Sequence, residues 1–196
     1  MVSSVVETKL SDWKFLGHSV HSLSIIPEAH KTKTDEEKGP AILLIHGFGA
    51  STTHWRYNLP VLGKQYEVHA LDLLGFGKSS KPSGLAYGGP LWKDQIVAYV
   101  KEKIGRPTIL VGNSLGGYAA LASGAAMGPE AAGVVLLNAA GYFSEDKKTT
   151  KGTWATARKT VAGIFLKNAL LQRIIFENLR QPSTIKRTLN QVYIDT

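Results

Sequence analysis

The sequence predicts an α/β fold, a mostly parallel sheet with helices on both faces. Three observations predict it. Short, continuously apolar runs alternate with stretches of helical periodicity, and most of these runs stop at a glycine or a polar residue. The run at 108–111 leads directly into Gly112-Asn113-Ser114-Leu115-Gly116 and then into a run of small residues. Strands covered on both sides read as unbroken Val/Ile/Leu runs, and helices are what cover them.

In order along the chain, Trp13–Leu16 and Val20–Ile26 read as an antiparallel hairpin, and 29–40 as a polar loop. Ala41-Ile42-Leu43-Leu44-Ile45 is apolar at every position and is bounded by Gly47, so it reads as a buried strand. A helix is expected over His54–Leu62, a strand over Tyr66–Leu71 ending at Asp72, and turns through 75–89. A helix over Leu91–Ile104, a strand over Thr108–Val111, a helix beginning just after Ser114 and a strand over Gly133–Leu137 complete the core. From about Ser144 the strands stop and basic amphipathic segments follow. Leu170, Ile174 and Ile175 share one helical side, and Pro182 suits a helix's first turn. The expected organisation is a core domain over 1–143 and the start of a helical lid over 144–196.

Composition narrows the class. At 43% hydrophobic and 19% charged residues the chain has globular proportions, and no run reaches the ~18 apolar residues of a membrane-spanning helix. Met1–Lys14 lacks the apolar core of a secretory signal, so a cytoplasmic location, or the plastid stroma for a plant chain, is expected. The absence of cysteine excludes disulfides and thiolate metal sites. No metal and no cofactor are expected. The net charge of +8 is concentrated, since 145–187 holds ten basic residues against three acidic ones. That distribution suits solvated helix faces or contact with an anionic membrane through the lid. No aromatic-basic interleaving points to nucleic acid.

The chemistry-bearing residues follow the strands. A serine at a strand-to-helix elbow is pushed out of the sheet in a strained backbone conformation, which makes Ser114 the expected nucleophile. Glycines at 112 and 116 are needed because a side chain there would strike the neighbouring strand or helix. The segment His46-Gly47-Phe48-Gly49-Ala50-Ser51 follows the 41–45 strand. Acyl transfer needs donors aimed at the developing oxyanion, and the backbone N–H groups of Phe48 and Leu115 are the expected pair. His46, Gly47 and Asn113 are expected to border the substrate. Asp72, in Asp72-Leu73-Leu74-Gly75-Phe76-Gly77, is expected to brace its turn by accepting backbone N–H bonds rather than to act as the catalytic acid. Gly75 and Gly77 alone make a weak case for nucleotide binding.

These motifs, in this order, resemble the α/β-hydrolase superfamily. With His54-Trp55-Arg56, Leu91-Trp92-Lys93-Asp94-Gln95 and Gly117, the chain is similar to the pheophytinase-like hydrolases of chloroplasts and cyanobacteria. The likeness covers about 40–143, and the lid start, including Gln191-Val192-Tyr193, more loosely. It implies an α/β-hydrolase fold and a serine esterase acting on a small lipophilic ester, such as a phytyl or similar pigment ester. Related haloalkane dehalogenases and epoxide hydrolases carry an aspartate at the elbow, and Ser114 argues against both.

A serine needs a base. In this family the acid and then the histidine follow the serine along the chain. Here all six histidines, at 18, 21, 30, 46, 54 and 69, precede Ser114. His46 and His54 are expected to pack or hydrogen-bond around the oxyanion loop rather than replace the base. Asn138 stands where some relatives carry the acid, and Glu145 and Asp146 are candidates by proximity alone. Complete relatives continue for roughly another hundred residues that hold both groups, so a C-terminally truncated chain, inactive alone, is expected. A non-catalytic binding protein on a hydrolase core and a C–C bond hydrolase of the same fold are the alternatives.

Overall fold

The apolar run at 41–45 is a strand buried along its whole length, and the rest of the sheet is laid out around it. The computed structural model describes residues 8–10, 13–141, 177 and 181–183. In chain order the strands are β1 (Thr8–Leu10), β2 (Lys14–Phe15), β3 (His18–Ser19), β4 (Ser22–Ile25), β5 (Ala41–Ile45), β6 (Val68–Leu71), β7 (Thr108–Asn113) and β8 (Ala131–Leu137). The helices are α1 (Asp35–Lys38), α2 (Asn58–Leu62), α3 (Gly89–Tyr99) and α4 (Leu115–Met127).

Six strands form one sheet in the order β1-β4-β6-β5-β7-β8. β6, β5, β7 and β8 are parallel, and β4 joins β6 antiparallel, with β1 antiparallel to β4. The chain runs from β5 to β6 on one side, then crosses to β7 on the other. Strand order therefore reverses at β5, and the crevice beyond the carboxyl ends of β5 and β7 is where such sheets bind ligands.

Strand periodicity divides the core between the two faces. Leu43 and Ile45 of β5 face one way and pack with Leu71, Leu110, Ile96, Tyr99, Ala119 and Ala120, the last four supplied by α3 and α4. Ile42 and Leu44 face the other way, with Val68, Ala70, Trp55 and Leu59. A truncation such as Leu43→Ala at the fully buried centre costs about 2–5 kcal/mol. This is the α/β-hydrolase fold that the sequence predicts.

Four details differ from the expectation. The N-terminal hairpin is tighter: Lys14–Phe15 pairs with His18–Ser19 around Leu16 and Gly17, both at positive φ (51° and 78°). Ser22–Ile25 leaves that hairpin and joins the main sheet between β1 and β6. The helix expected over 54–62 is a 3₁₀ turn, Thr52–Trp55, followed by the short α2. α3 ends in a π turn over Val100–Ile104, closed by left-handed Gly105.

The chain divides into two compact units, 1–143 and 144–196. Of the second, only 177 and 181–183 are described, so the expected lid, its basic face, Glu145 and Asp146 lie outside the described residues. Among the described residues no helix is long and apolar enough to cross a membrane.

Candidate active site

Ser114 sits between β7 and α4 with φ 52° and ψ −115°, a left-handed backbone that side-chain-bearing residues rarely adopt. Such strain costs about 1–3 kcal/mol and persists only where neighbours hold it. Here they do. The Ser114 N–H donates to the Leu137 carbonyl of β8 at 3.0 Å, and the Ser114 carbonyl accepts from Gly117 at 3.0 Å and Ala140 at 2.8 Å. A Cβ on Gly112 would collide with the Gly116 backbone, and one on Gly116 would collide with the carbonyls of Ile45 and His46. Only the bare G-x-S-x-G backbone lets α4 start this close to β5 and β7.

The loop after β5 meets this elbow. A Cβ on Gly47 would lie 3.1 Å from Asn113 Oδ1 and 3.3 Å from Ser114 Cβ, so Gly47 passes directly beside the nucleophile. Phe48 follows it, with its side chain 79% exposed and its ring edge-on to Phe76 at 5.4 Å. Leu115 is the first residue of α4, where N–H groups lack intrahelical acceptors and the helix dipole presents its positive end. Asn113 turns its side chain along β8, with Nδ2 donating to the Leu137 carbonyl at 3.3 Å.

His46 is placed differently from a substrate contact. It is fully buried, Nδ1 lies 2.7 Å from the Gly47 carbonyl, and Nε2 accepts the Leu73 N–H at 3.1 Å. Burial holds its pKa below the usual histidine value, only partly offset by the Gly47 carbonyl and by Asp72. Asp72 Oδ1 is 4.0 Å from Nε2, yet that nitrogen is already an acceptor, so the two form no ion pair. His46 positions the loop and does not line the cleft.

Asp72 braces the turn after β6. Its carboxylate accepts the N–H of Thr52 at 2.5 Å and of Lys78 at 2.8 Å, tying the β5 loop to the β6 loop. Sequence reasoning missed two further anchors. Gln95 Oε1 accepts the Leu74 N–H at 2.9 Å while its amide donates to the Asp72 carbonyl, and Trp92 Nε1 donates to the Leu74 carbonyl at 3.0 Å. The one available signal was the Leu91–Gln95 motif, whose polar Gln95 falls on the buried side of α3.

The site thus brings together Ser114, Asn113, Gly47, Phe48 and Leu115. No side chain among the described residues hydrogen-bonds Ser114 Oγ. His54 packs against Trp55, His69 is held by Glu67 and Tyr99, and Asn138 (φ 47°) simply ends β8.

Residues 42–189 match the Alpha/beta hydrolase family. With the elbow and sheet order above, the chain belongs to that family. It is similar to the chloroplastic pheophytinase of Arabidopsis thaliana, at 29% identity over 84% of this chain and 41% of that protein. It is also similar to the 2-hydroxymuconate semialdehyde hydrolase of Pseudomonas sp. (strain CF600), at 36% identity over 55% of this chain and 39% of that protein. Among solved structures, a bacterial membrane phospholipase A described as a virulence factor superposes with TM-score 0.62 and 29% identity, covering 71% of this chain and 42% of that one. The chain spans about two-fifths of the length of these relatives.

Proposed function

We propose that this chain carries the nucleophile and oxyanion-hole half of a serine hydrolase that cleaves a carboxylic ester of a lipophilic substrate. The observation that carries the reading is Ser114 in its strained elbow with Gly47 pressed against it. The Phe48 and Leu115 N–H groups would then be the donors for an oxyanion formed at the attacked carbonyl. Ser114 Oγ would attack the carbonyl carbon, and an acid–histidine pair from outside the described residues would take its proton and return it to the leaving alcohol. The likeness to pheophytinase supports a phytyl or similar pigment ester, and the exposed Phe48 ring supports an apolar substrate.

Fluorophosphonate treatment of the protein expressed from its complete gene tests this: Ser114 should be labelled and Ser114→Ala should not. A complete protein, with acid and histidine present, that stays unlabelled overturns the reading.

A second reading is favoured by the 36% identity to a semialdehyde hydrolase, namely C–C bond hydrolysis with the same nucleophile. Comparing turnover of p-nitrophenyl esters with that of vinylogous diketones separates the two.

A further inference from the structure

Beside the oxyanion loop, and separate from Ser114, lies a cavity of about 340 Å³. It is an open pocket bordered by Gly49, Ser51, Thr53, His54, Arg56 and Gly77, with Thr53 and Arg56 exposed to solvent. Among the described residues no carboxylate lines it. Asp72, whose carboxylate lies against Gly77, is fully buried with its two oxygens already accepting the Thr52 and Lys78 N–H groups.

Each polar side chain in the wall is held in place. Arg56 Nη1 donates to the Thr53 carbonyl at 3.2 Å, and its guanidinium lies 4.4 Å above the Tyr57 ring, with no carboxylate partner among the described residues. Ser51 Oγ and Thr53 Oγ1 are 2.7 Å apart and share one hydrogen bond, which leaves the pair a further proton to donate. The His54 ring is seated edge-on against Trp55 at 5.0 Å, and the buried Trp55 Nε1 has no acceptor. Lys81 sets its ammonium 2.6 Å from the carbonyl of the wall residue Gly77, adding a second cation nearby. A donor-rich, carboxylate-free cavity with a preset guanidinium is complementary to an anion, because Arg presents paired N–H groups to carboxylate or phosphate oxygens and needs little reordering to do so.

We propose that this cavity is an anion-binding site, holding a carboxylate or phosphate group on Arg56, His54 and the hydroxyls of Ser51 and Thr53. Gly49–Ser51 continue directly from Phe48, so the site is coupled to the oxyanion loop through a few residues of backbone, and Asp72 clamps the two loops that form its walls. The anion is either the acid group of an ester substrate, in which case this inference rests on the function proposed above, or a free phosphate, in which case it does not.

The test is a titration of inorganic phosphate, monomethyl glutarate and neutral dimethyl glutarate into the full chain carrying Ser114→Ala. Binding is followed by calorimetry and by the ring resonances of His54. The anions are expected to bind and move those resonances, the diester is not, and Arg56→Gln should weaken anion binding about tenfold or more. Tighter binding of the monoester assigns the site to a substrate's acid group, and tighter binding of phosphate assigns it to a free anion. The proposal is overturned if neither anion moves the His54 resonances, if the diester binds equally well, or if Arg56→Gln leaves the affinity unchanged. Thr53→Val, expected to weaken binding more modestly, serves as a second variant. Fluorophosphonate labelling of the protein expressed from its complete gene is read separately, so its failure would bear on the nucleophile and not on this site.

Discussion

His46 accepts the backbone N–H of Leu73 on Nε2, so its ring is neutral with the proton on Nδ1, facing the Gly47 carbonyl. One imidazole therefore joins the loop after β5 to the loop after β6. Burial depresses its pKa below the ordinary histidine value of 6.5, and protonation would point a second N–H at the Leu73 N–H inside the core. The native state resists a proton that the unfolded chain accepts, so stability from this group is complete above about pH 6.5 and falls as the pH drops toward the folded pKa. Urea midpoints should decline as the pH falls below about 6.5, and His46→Gln should flatten part of that decline. His30, also depressed by burial and then by Lys33, contributes in the same direction, so the comparison is made in a His30→Gln background. A pH profile identical with and without His46 would contradict this account. His46→Ala, which leaves the Leu73 N–H buried and unpaired, should cost about 1–3 kcal/mol from that donor alone.

Gly116→Ala tests the packing of the elbow. Its Cβ would strike two backbone carbonyls, Ile45 and His46, and backbone cannot swing aside as a side chain can. Overpacking of this kind costs about 1–3 kcal/mol or more, and the displaced helix start would carry the Leu115 N–H away from the site. The expected result is a lower urea midpoint, with fluorophosphonate labelling of the complete protein lost before the fold is. Ala120→Gly, deeper in the same helix, should weaken the fold without moving Ser114 and serves as the contrast.

The parts of the fold that were legible in the sequence are those where one local rule dominates. The run at 41–45 could only be a covered strand, and a glycine-flanked serine between a strand and a small-residue helix could only be an elbow. Pairing was harder to read. Leu16 adopts a positive φ that its residue type does not advertise, and this allows the two-residue turn that shortens the hairpin. The three-residue β1 is too brief to show a period. Buried polar groups were the hardest. Glu67, His69, Gln95 and Arg106 look like surface residues in the sequence, and only their partners across the sheet explain their burial. The cavity at Arg56 was invisible for the same reason, since Gly77 reaches it from another loop.

Those partners make the Glu67 cluster a stability element. Glu67 Oε2 accepts from Arg106 Nη1 at 2.8 Å and Oε1 lies 2.8 Å from His69 Nε2, whose Nδ1 lies 3.1 Å from the Tyr99 hydroxyl. Burial pushes the Glu67 carboxyl up, but His69 and Arg106 outweigh it and hold the group below its ordinary value. Burial pushes Tyr99 up to about 12, so its hydroxyl keeps its proton. Removing one partner strands the other charge, so Glu67→Gln should cost about 3–5 kcal/mol, while Tyr99→Phe should cost about 1 kcal/mol. Because the Glu67 pKa is lowered on folding, its contribution is present above about pH 4.5 and is lost as the pH falls through the folded value. Denaturation of Glu67→Gln near neutral pH that matches the parent would rule this out.

Turnover by the 196-residue chain itself is the remaining question, and the site gives a direct answer. Ser114 has its strained elbow, but among the described residues no histidine is positioned on it: His46 is committed at both nitrogens, His69 is held by Glu67 and Tyr99, and His54 packs against Trp55. A hydroxyl without a base is a poor nucleophile near neutral pH. Removing a triad member leaves residual catalysis of roughly 10³–10⁴ over water, from binding and the oxyanion hole alone. The purified chain should therefore hydrolyse p-nitrophenyl butyrate no faster than that residual level, and Ser114→Ala should change the rate little, because the surviving contribution does not require attack by Oγ. A longer protein that places an acid and a histidine after Ser114 should turn over several orders of magnitude faster and depend on Ser114. Fast turnover by the chain alone, abolished by Ser114→Ala, would mean that a histidine preceding the nucleophile reaches it. His54, the nearest uncommitted one along the loop, would then be the first residue to replace.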